Sequence, residues 1–131
     1  MSTAVRVVAG VLRDSDGRVL IAQRPAGKHM AGYWEFPGGK VAPGENGEQA
    51  LARELTEELG VSLGRCRRLL QLRHDYVDRV IELDVFLVDD YQGEPTGRET
   101  QCLKWVALSE LATQGLLPAD RPIIDALNST R

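Results

Sequence analysis

The sequence predicts an α/β fold, an α/β/α sandwich with helices on both faces of a mixed β-sheet, in one domain over residues 1–131. Two observations carry this. β-branched, apolar runs stand near both ends of the chain, with helical segments between and after them. No repeat, linker or shift of composition divides the 131 residues, a length at which one substantial core can be buried.

Val5–Leu12 is β-rich and almost wholly apolar, so it reads as a buried strand. Asp14-Ser15-Asp16-Gly17 is a turn signal and Arg18–Ala22 returns as a second strand, which predicts a hairpin. Residues 24–46 are rich in glycine and proline and read as an extended loop with a short strand around Lys40-Val41. A stretch of that length without regular structure in a compact domain is usually functional. Asn46 is placed to cap a helix over Gly47–Leu59, which Gly60 stops. Strands follow around Arg68–His74 and Val80–Val88, then a loop at Asp89–Thr100 and a strand at Leu103–Val106. Ser109 is expected to cap a short helical turn, and a last helix covers Arg121–Asn128.

Composition is ordinary for a soluble protein, 43% hydrophobic and 27% charged. No apolar stretch approaches the roughly 20 residues that span a bilayer, and no leader is separable from the first strand. A cytoplasmic location and no membrane partner are expected. Cys66 and Cys102 stand in no C-x-x-C or Cys/His cluster, so they read as reduced thiols rather than metal ligands. The net charge of −3 and pI near 5.4 argue against a nucleic-acid polymer, which a basic face would grip. An acidic protein that handles phosphates does so through bound cations. A monomer or weak dimer is expected.

The chemistry concentrates in Arg53-Glu54-Leu55-Thr56-Glu57-Glu58. On a helix, Glu54, Glu57 and Glu58 fall within about 100° of one another, beside a stripe of Leu51, Ala52, Leu55 and Leu59. The carboxylates therefore line the shoulder of the helix. Like charges so close, near a helix C-terminus whose dipole disfavours anions, call for compensation. Oxygen ligands without sulfur or imidazole suit Mg²⁺ or Mn²⁺. Taken alone, such a run is more often a solvated acidic face beside Arg53.

Its surroundings change that weighting. From Gly39 to Val61 the chain reads GKVAPGENGEQALARELTEELGV. Gly39, Glu45, Arg53-Glu54-Leu55, Glu57-Glu58 and Gly60-Val61 match every defined position of the Nudix box. The segment Lys28–Gly39 resembles the loop before the box in MutT-type nucleoside triphosphate pyrophosphohydrolases. Asp78-Arg79, Gly93-Glu94-Pro95 and Pro118-Ala119-Asp120-x-Pro122 look like their later landmarks. The resemblance covers nearly the whole chain and implies the Nudix fold.

Carried over by position, it implies that Glu54, Glu57 and Glu58 bind metal with the carbonyl of Gly38. Glu99 matches a downstream glutamate that is metal ligand or general base; either Glu54 or Glu99 deprotonates the water. Arg24 matches a phosphate-contacting arginine and reads equally as a strand-end surface residue. Glu45 and Arg53 match positions that orient the metal-binding loop and helix. Phe36, Asp78 and Arg79 match positions bordering the base. Asp120 stands where the enzyme that cleaves 8-oxo-dGTP has asparagine. An ionised carboxylate only accepts hydrogen bonds, whereas an amide also donates. Asp120 thus reads either as a base reader of altered preference or as a cap of the last helix. His29 and His74 read as surface or partly buried residues.

The resemblance implies Mg²⁺-dependent attack of water at the β-phosphorus, giving nucleoside monophosphate and pyrophosphate. The first expectation is a nucleotide-pool sanitising enzyme, an 8-oxo-dGTP diphosphatase. The second is a pyrophosphohydrolase preferring CTP or 5-methyl-dCTP. A third is a non-catalytic nucleotide-binding module, against which the intact carboxylate set speaks.

Overall fold

Val8 to Leu12 are buried one after another, which a strand permits only when both faces of its sheet are covered. The computed structural model describes residues 4–129 and shows what covers them. Strand β1 (Ala4–Leu12) pairs in parallel with β7 (Arg79–Val88) and antiparallel with β4 (Gly38–Lys40); β6 (Cys66–Tyr76) pairs antiparallel with β7. The result is a mixed sheet in the order β4-β1-β7-β6. A second, antiparallel sheet has the order β3-β2-β9, from β2 (Val19–Gln23), β3 (Trp34–Glu35) and β9 (Leu103–Val106). The small pair β5 (Ser62–Leu63) and β8 (Tyr91–Gln92) completes the strands.

Side-chain alternation distributes the strands between two cores. Val8, Leu12, Phe86 and Val88 pack with Leu51, Leu55 and Leu59 of helix α1 (Gly47–Leu59). Ala9, Val11, Val85 and Leu87 pack with Ile123 and Leu127 of helix α2 (Arg121–Ser129). Helices thus lie on both sides, and the α/β sandwich is as expected. No helix among the described residues is long and apolar enough to cross a membrane.

α1 has the predicted limits. Asn46 Oδ1 accepts from the Gln49 amide at 2.8 Å and Gln49 Oε1 accepts from the Asn46 amide at 2.9 Å, a reciprocal cap. At the other end Gly60 takes φ 72°, a left-handed turn open to glycine, and its amide bonds back to the helix.

Several local expectations differ from the structure. The turn at Asp14–Gly17 forms, but β1 and β2 do not make a hairpin, since β4 and β7 already occupy both edges of β1. Among the described residues they meet at the Arg13–Val19 bridge and through Asp14 and Arg18, the Asp14 amide donating to the Arg18 carbonyl and the Arg18 amide to Asp14 Oδ1. The loop at 24–46 contains β3 as well as β4, and the loop at 89–100 contains β8. Ala50, not Ala52, is buried with the leucines of α1. Ser109 does not cap: the 3-10 turn Leu108–Thr113 starts after Ala107, with no side-chain bond.

Candidate active site

β4 runs against α1 where the glutamates emerge. A Cβ on Gly39 would overlap the Glu54 carboxylate, and one on Gly38 would overlap the backbone at Val8 and Ala9. Glycine at both positions therefore lets the β4 backbone approach the carboxylates and β1 together. Glu54 is 15% exposed, Glu57 56% exposed, and Glu54 hydrogen-bonds Glu58. Burial pushes the Glu58 carboxyl up to about 9, with Glu54, Glu35 and Glu99 adding to the effect.

Arg53 balances the opposite flank. Its guanidinium donates to Glu54 Oε1 at 2.9 Å and to Glu57 Oε2 at 3.4 Å. It also grips both oxygens of Glu45 and the Lys40 carbonyl. Glu45 in turn accepts from the Ala42 amide at 2.8 Å, so one arginine fastens the loop after β4 to the helix.

A cavity of about 490 Å³, the size of a small-molecule site, opens over this shoulder. Glu54, Glu57, Glu58, Glu99, Gly38 and Gly39 line it. Phe36, Tyr76, Leu117, Ala119 and Asp120 line it as well. Asp120 is 6% exposed, in a 3-10 turn (Pro118–Asp120) tied to β3 by the Leu117 amide bond to the Trp34 carbonyl. Asp120 Oδ2 accepts from the Phe36 amide at 3.2 Å, which gives the carboxylate a partner across the cavity wall rather than in the last helix. Burial lifts its carboxyl to about 7, against the lowering effect of the Phe36 bond.

Arg24 and Glu35 line the same cavity. Arg24 Nη1 donates to Glu35 Oε1 at 3.0 Å and its Nε to the His29 carbonyl at 2.7 Å. Burial raises the Glu35 carboxyl, Arg24 opposes this, and Glu35 acts electrostatically on both Glu58 and Asp120.

The family model of the NUDIX domain matches residues 8–126. The chain belongs to the Nudix family. It is 46% identical over 98 residues to an 8-oxo-dGTP diphosphatase of Proteus vulgaris, covering 75% of this chain and 88% of the relative. It is 39% identical over 127 residues to a CTP pyrophosphohydrolase of Escherichia coli (strain K12), covering 97% of this chain and 93% of that protein. A solved MutT structure, from work on the Aliivibrio salmonicida and Vibrio cholerae proteins, superposes with a TM-score of 0.85 at 35% identity. That match covers 98% of this chain and all of the other. The protein is a MutT-type Nudix hydrolase, a nucleoside triphosphate pyrophosphohydrolase.

Nudix hydrolases generally work with a divalent metal, and the donor set here fits one: carboxylates on one helix shoulder beside the glycine backbone, with neither sulfur nor imidazole. The crowding of Glu54 and Glu58 is unfavourable for two ionised carboxylates, and a cation between them would relieve it. When bound, the metal neutralises the triphosphate and acidifies a water. Among the described residues the carboxylates are gathered but not closed into a coordination shell. Arg53 occupies oxygens of Glu54 and Glu57, and the largely exposed Glu57 can rotate away without disturbing the core.

Of the residues expected to meet substrate, Arg24, Phe36, Arg79 and Asp120 line the cavity. Asp78 does not. It sits in the β6–β7 turn, 59% exposed and 3.7 Å from Arg79, beyond the cavity wall. His29 is exposed and His74 partly buried, as expected; His29 also lines the cavity, and His74 packs edge-on against Tyr76 at 4.5 Å. Glu35, Tyr76 and Gln101 also line it; Tyr76 and Gln101 carried no motif signal, and Glu35 stood within the Lys28–Gly39 segment with no role assigned.

Proposed function

We propose that this Nudix hydrolase sanitises the nucleotide pool by cleaving 8-oxo-dGTP to its monophosphate and pyrophosphate, with Mg²⁺ as the working cation and Mn²⁺ as a substitute. Asp120 carries the substrate assignment. A buried carboxyl raised to about 7 is protonated in about half of the molecules at pH 7. It then offers an O–H donor and a carbonyl acceptor, the same pair an amide offers. The Hoogsteen edge of 8-oxoguanine presents N7–H and O6, which that pair complements. Its burial supports a proton at this position, where an ionised carboxylate would only accept. The relatives that bear the name 8-oxo-dGTP diphosphatase support the same reading.

The all-oxygen donor set supports Mg²⁺. The acidic balance and a cavity sized for one nucleotide support a free nucleotide over a polymer. A second reading has its own support. Ionised Asp120 accepts from the 4-amino group of cytosine, and the CTP pyrophosphohydrolase relative spans nearly the whole chain.

The deciding experiment compares kcat/KM for 8-oxo-dGTP, dGTP, CTP and 5-methyl-dCTP with Mg²⁺. The proposal expects 8-oxo-dGTP to lead by at least about 10²-fold, the scale of a hydrogen-bonded base edge. A lead for either cytidine nucleotide would establish the second reading in its place.

A further inference from the structure

The loop that carries Glu99 is laced to the C-terminal carbonyls of α1. The Thr96 amide donates to the Leu59 carbonyl and the Arg98 amide to the Glu58 carbonyl, each at 3.0 Å. These carbonyls belong to the last turn of the helix, where no intrahelical donor serves them. Gln101 joins the same set: its Nε2 donates to the Glu58 carbonyl at 3.3 Å. Its Oε1 turns the other way and accepts from the Glu99 amide at 2.8 Å. One side-chain amide therefore spans the backbones of Glu58 and Glu99.

The chain between is bent to allow it. Thr100 has φ 63°, a left-handed conformation that β-branched residues rarely adopt. It is held there by its amide bond to the Gly97 carbonyl at 3.0 Å and its hydroxyl bond to the Glu99 carbonyl at 2.6 Å. Such conformations persist where the surroundings over-determine them, and they gather at functional sites. The Glu99 side chain is exposed, so its place in the cavity depends on how its backbone is held.

We propose that Gln101 is a positioning residue for hydrolysis, holding Glu99 at a set place against the metal-binding shoulder of α1. This rests on the reading of Glu99 as metal ligand or general base. An amide is suited to the task because one end must donate and the other accept. Methionine has similar length and makes neither bond, whereas glutamate keeps the acceptor and loses the donor.

The test measures kcat, KM and Tm for the wild type, Gln101→Met, Glu99→Gln and the double variant. Gln101→Met is expected to lower kcat about 10-fold with KM nearly unchanged, the scale of a modest misplacement of a reacting group. In the Glu99→Gln background the same change should alter kcat by less than about twofold, because the group being positioned is gone. An equal loss in both backgrounds would overturn the proposal and leave Gln101 a structural role. Wild-type turnover by Gln101→Met beside an impaired Glu99→Gln would overturn it while keeping the role of Glu99. Full activity of Glu99→Gln removes that role and the proposal with it. Should Gln101→Met not fold, Gln101→Leu, which likewise makes neither bond, takes its place with the same expected outcomes.

Discussion

Glu45 and Arg53 meet fork to fork, Nε donating to Oε2 at 2.7 Å and Nη2 to Oε1 at 2.9 Å. The pair sits where the loop after β4 meets α1, and the same guanidinium reaches Glu54 and Glu57. Planar, two-point pairing of this kind fixes orientation as well as charge. It places the glycine backbone and the glutamates in one frame.

The Arg53 hydrogen bonds and the Ala42 amide hold the Glu45 carboxyl at about 2, below its ordinary 4.5. A depressed folded value means that the stabilisation is complete above about 4.5 and is lost as pH falls towards 2. Glu45→Gln should therefore melt below the wild type at neutral pH, with the gap closing through that acid window. A gap independent of pH would show that the pair is not its source.

Glu57→Gln keeps the shape of the shoulder and removes one charge. It should lower kcat by at least about 10²-fold at saturating Mg²⁺, the scale of losing a positioned catalytic group. Turnover near wild type would refute the assignment of Glu57 to the metal site.

Asp120 makes a prediction of opposite sign to Glu45. Its folded carboxyl, at about 7, lies above its ordinary 3.8, so its contribution is fully present below about 3.8 and lost as pH rises through 7. Asp120→Asn should remove this slope and stabilise the protein at alkaline pH by up to about 4 kcal/mol. The same variant should shift preference towards 8-oxo-dGTP over CTP, most strongly above pH 7, where the wild-type carboxylate can no longer donate. A wild-type ratio of kcat/KM values that does not change with pH would show that Asp120 does not read the base.

Asn46→Ala removes one of the two reciprocal bonds at the start of α1 and should cost about 1 kcal/mol in chemical unfolding. Activity should fall less than in Glu57→Gln, since the glutamates lie at the far end of the helix. An unchanged midpoint would mean that packing of Leu51 and Leu55 alone sets the helix.

What could be read from the sequence was what local chemistry determines. α1 was legible at both ends because Asn46, Gln49 and Gly60 act within a few residues of the bonds they satisfy. β9 was legible by its pattern. The β1–β2 hairpin was not, because turn residues say nothing about which edges of β1 distant strands will take. β3 and β8, two residues each, are too short to show a period.

The site followed the same division. Glu54, Glu57 and Glu58 share one helix shoulder by spacing alone. Gln101 and Glu35 acquire meaning only when loop 96–101 docks on α1 and β3 lies beside β2. Asp120 was visible as a position, but its burial and its bond to the Phe36 amide, 84 residues away in the chain, arise only in the folded structure.

Hydrolysis of a nucleoside triphosphate in H₂¹⁸O with Mg²⁺, followed by mass spectrometry of both products, tests the central claim most directly. Metal-assisted attack at the β-phosphorus by a water aligned over Glu54, Glu57 and Glu58 places the label in pyrophosphate and leaves the monophosphate unlabelled. Label in the monophosphate, or turnover that persists after the cation is chelated, would contradict it.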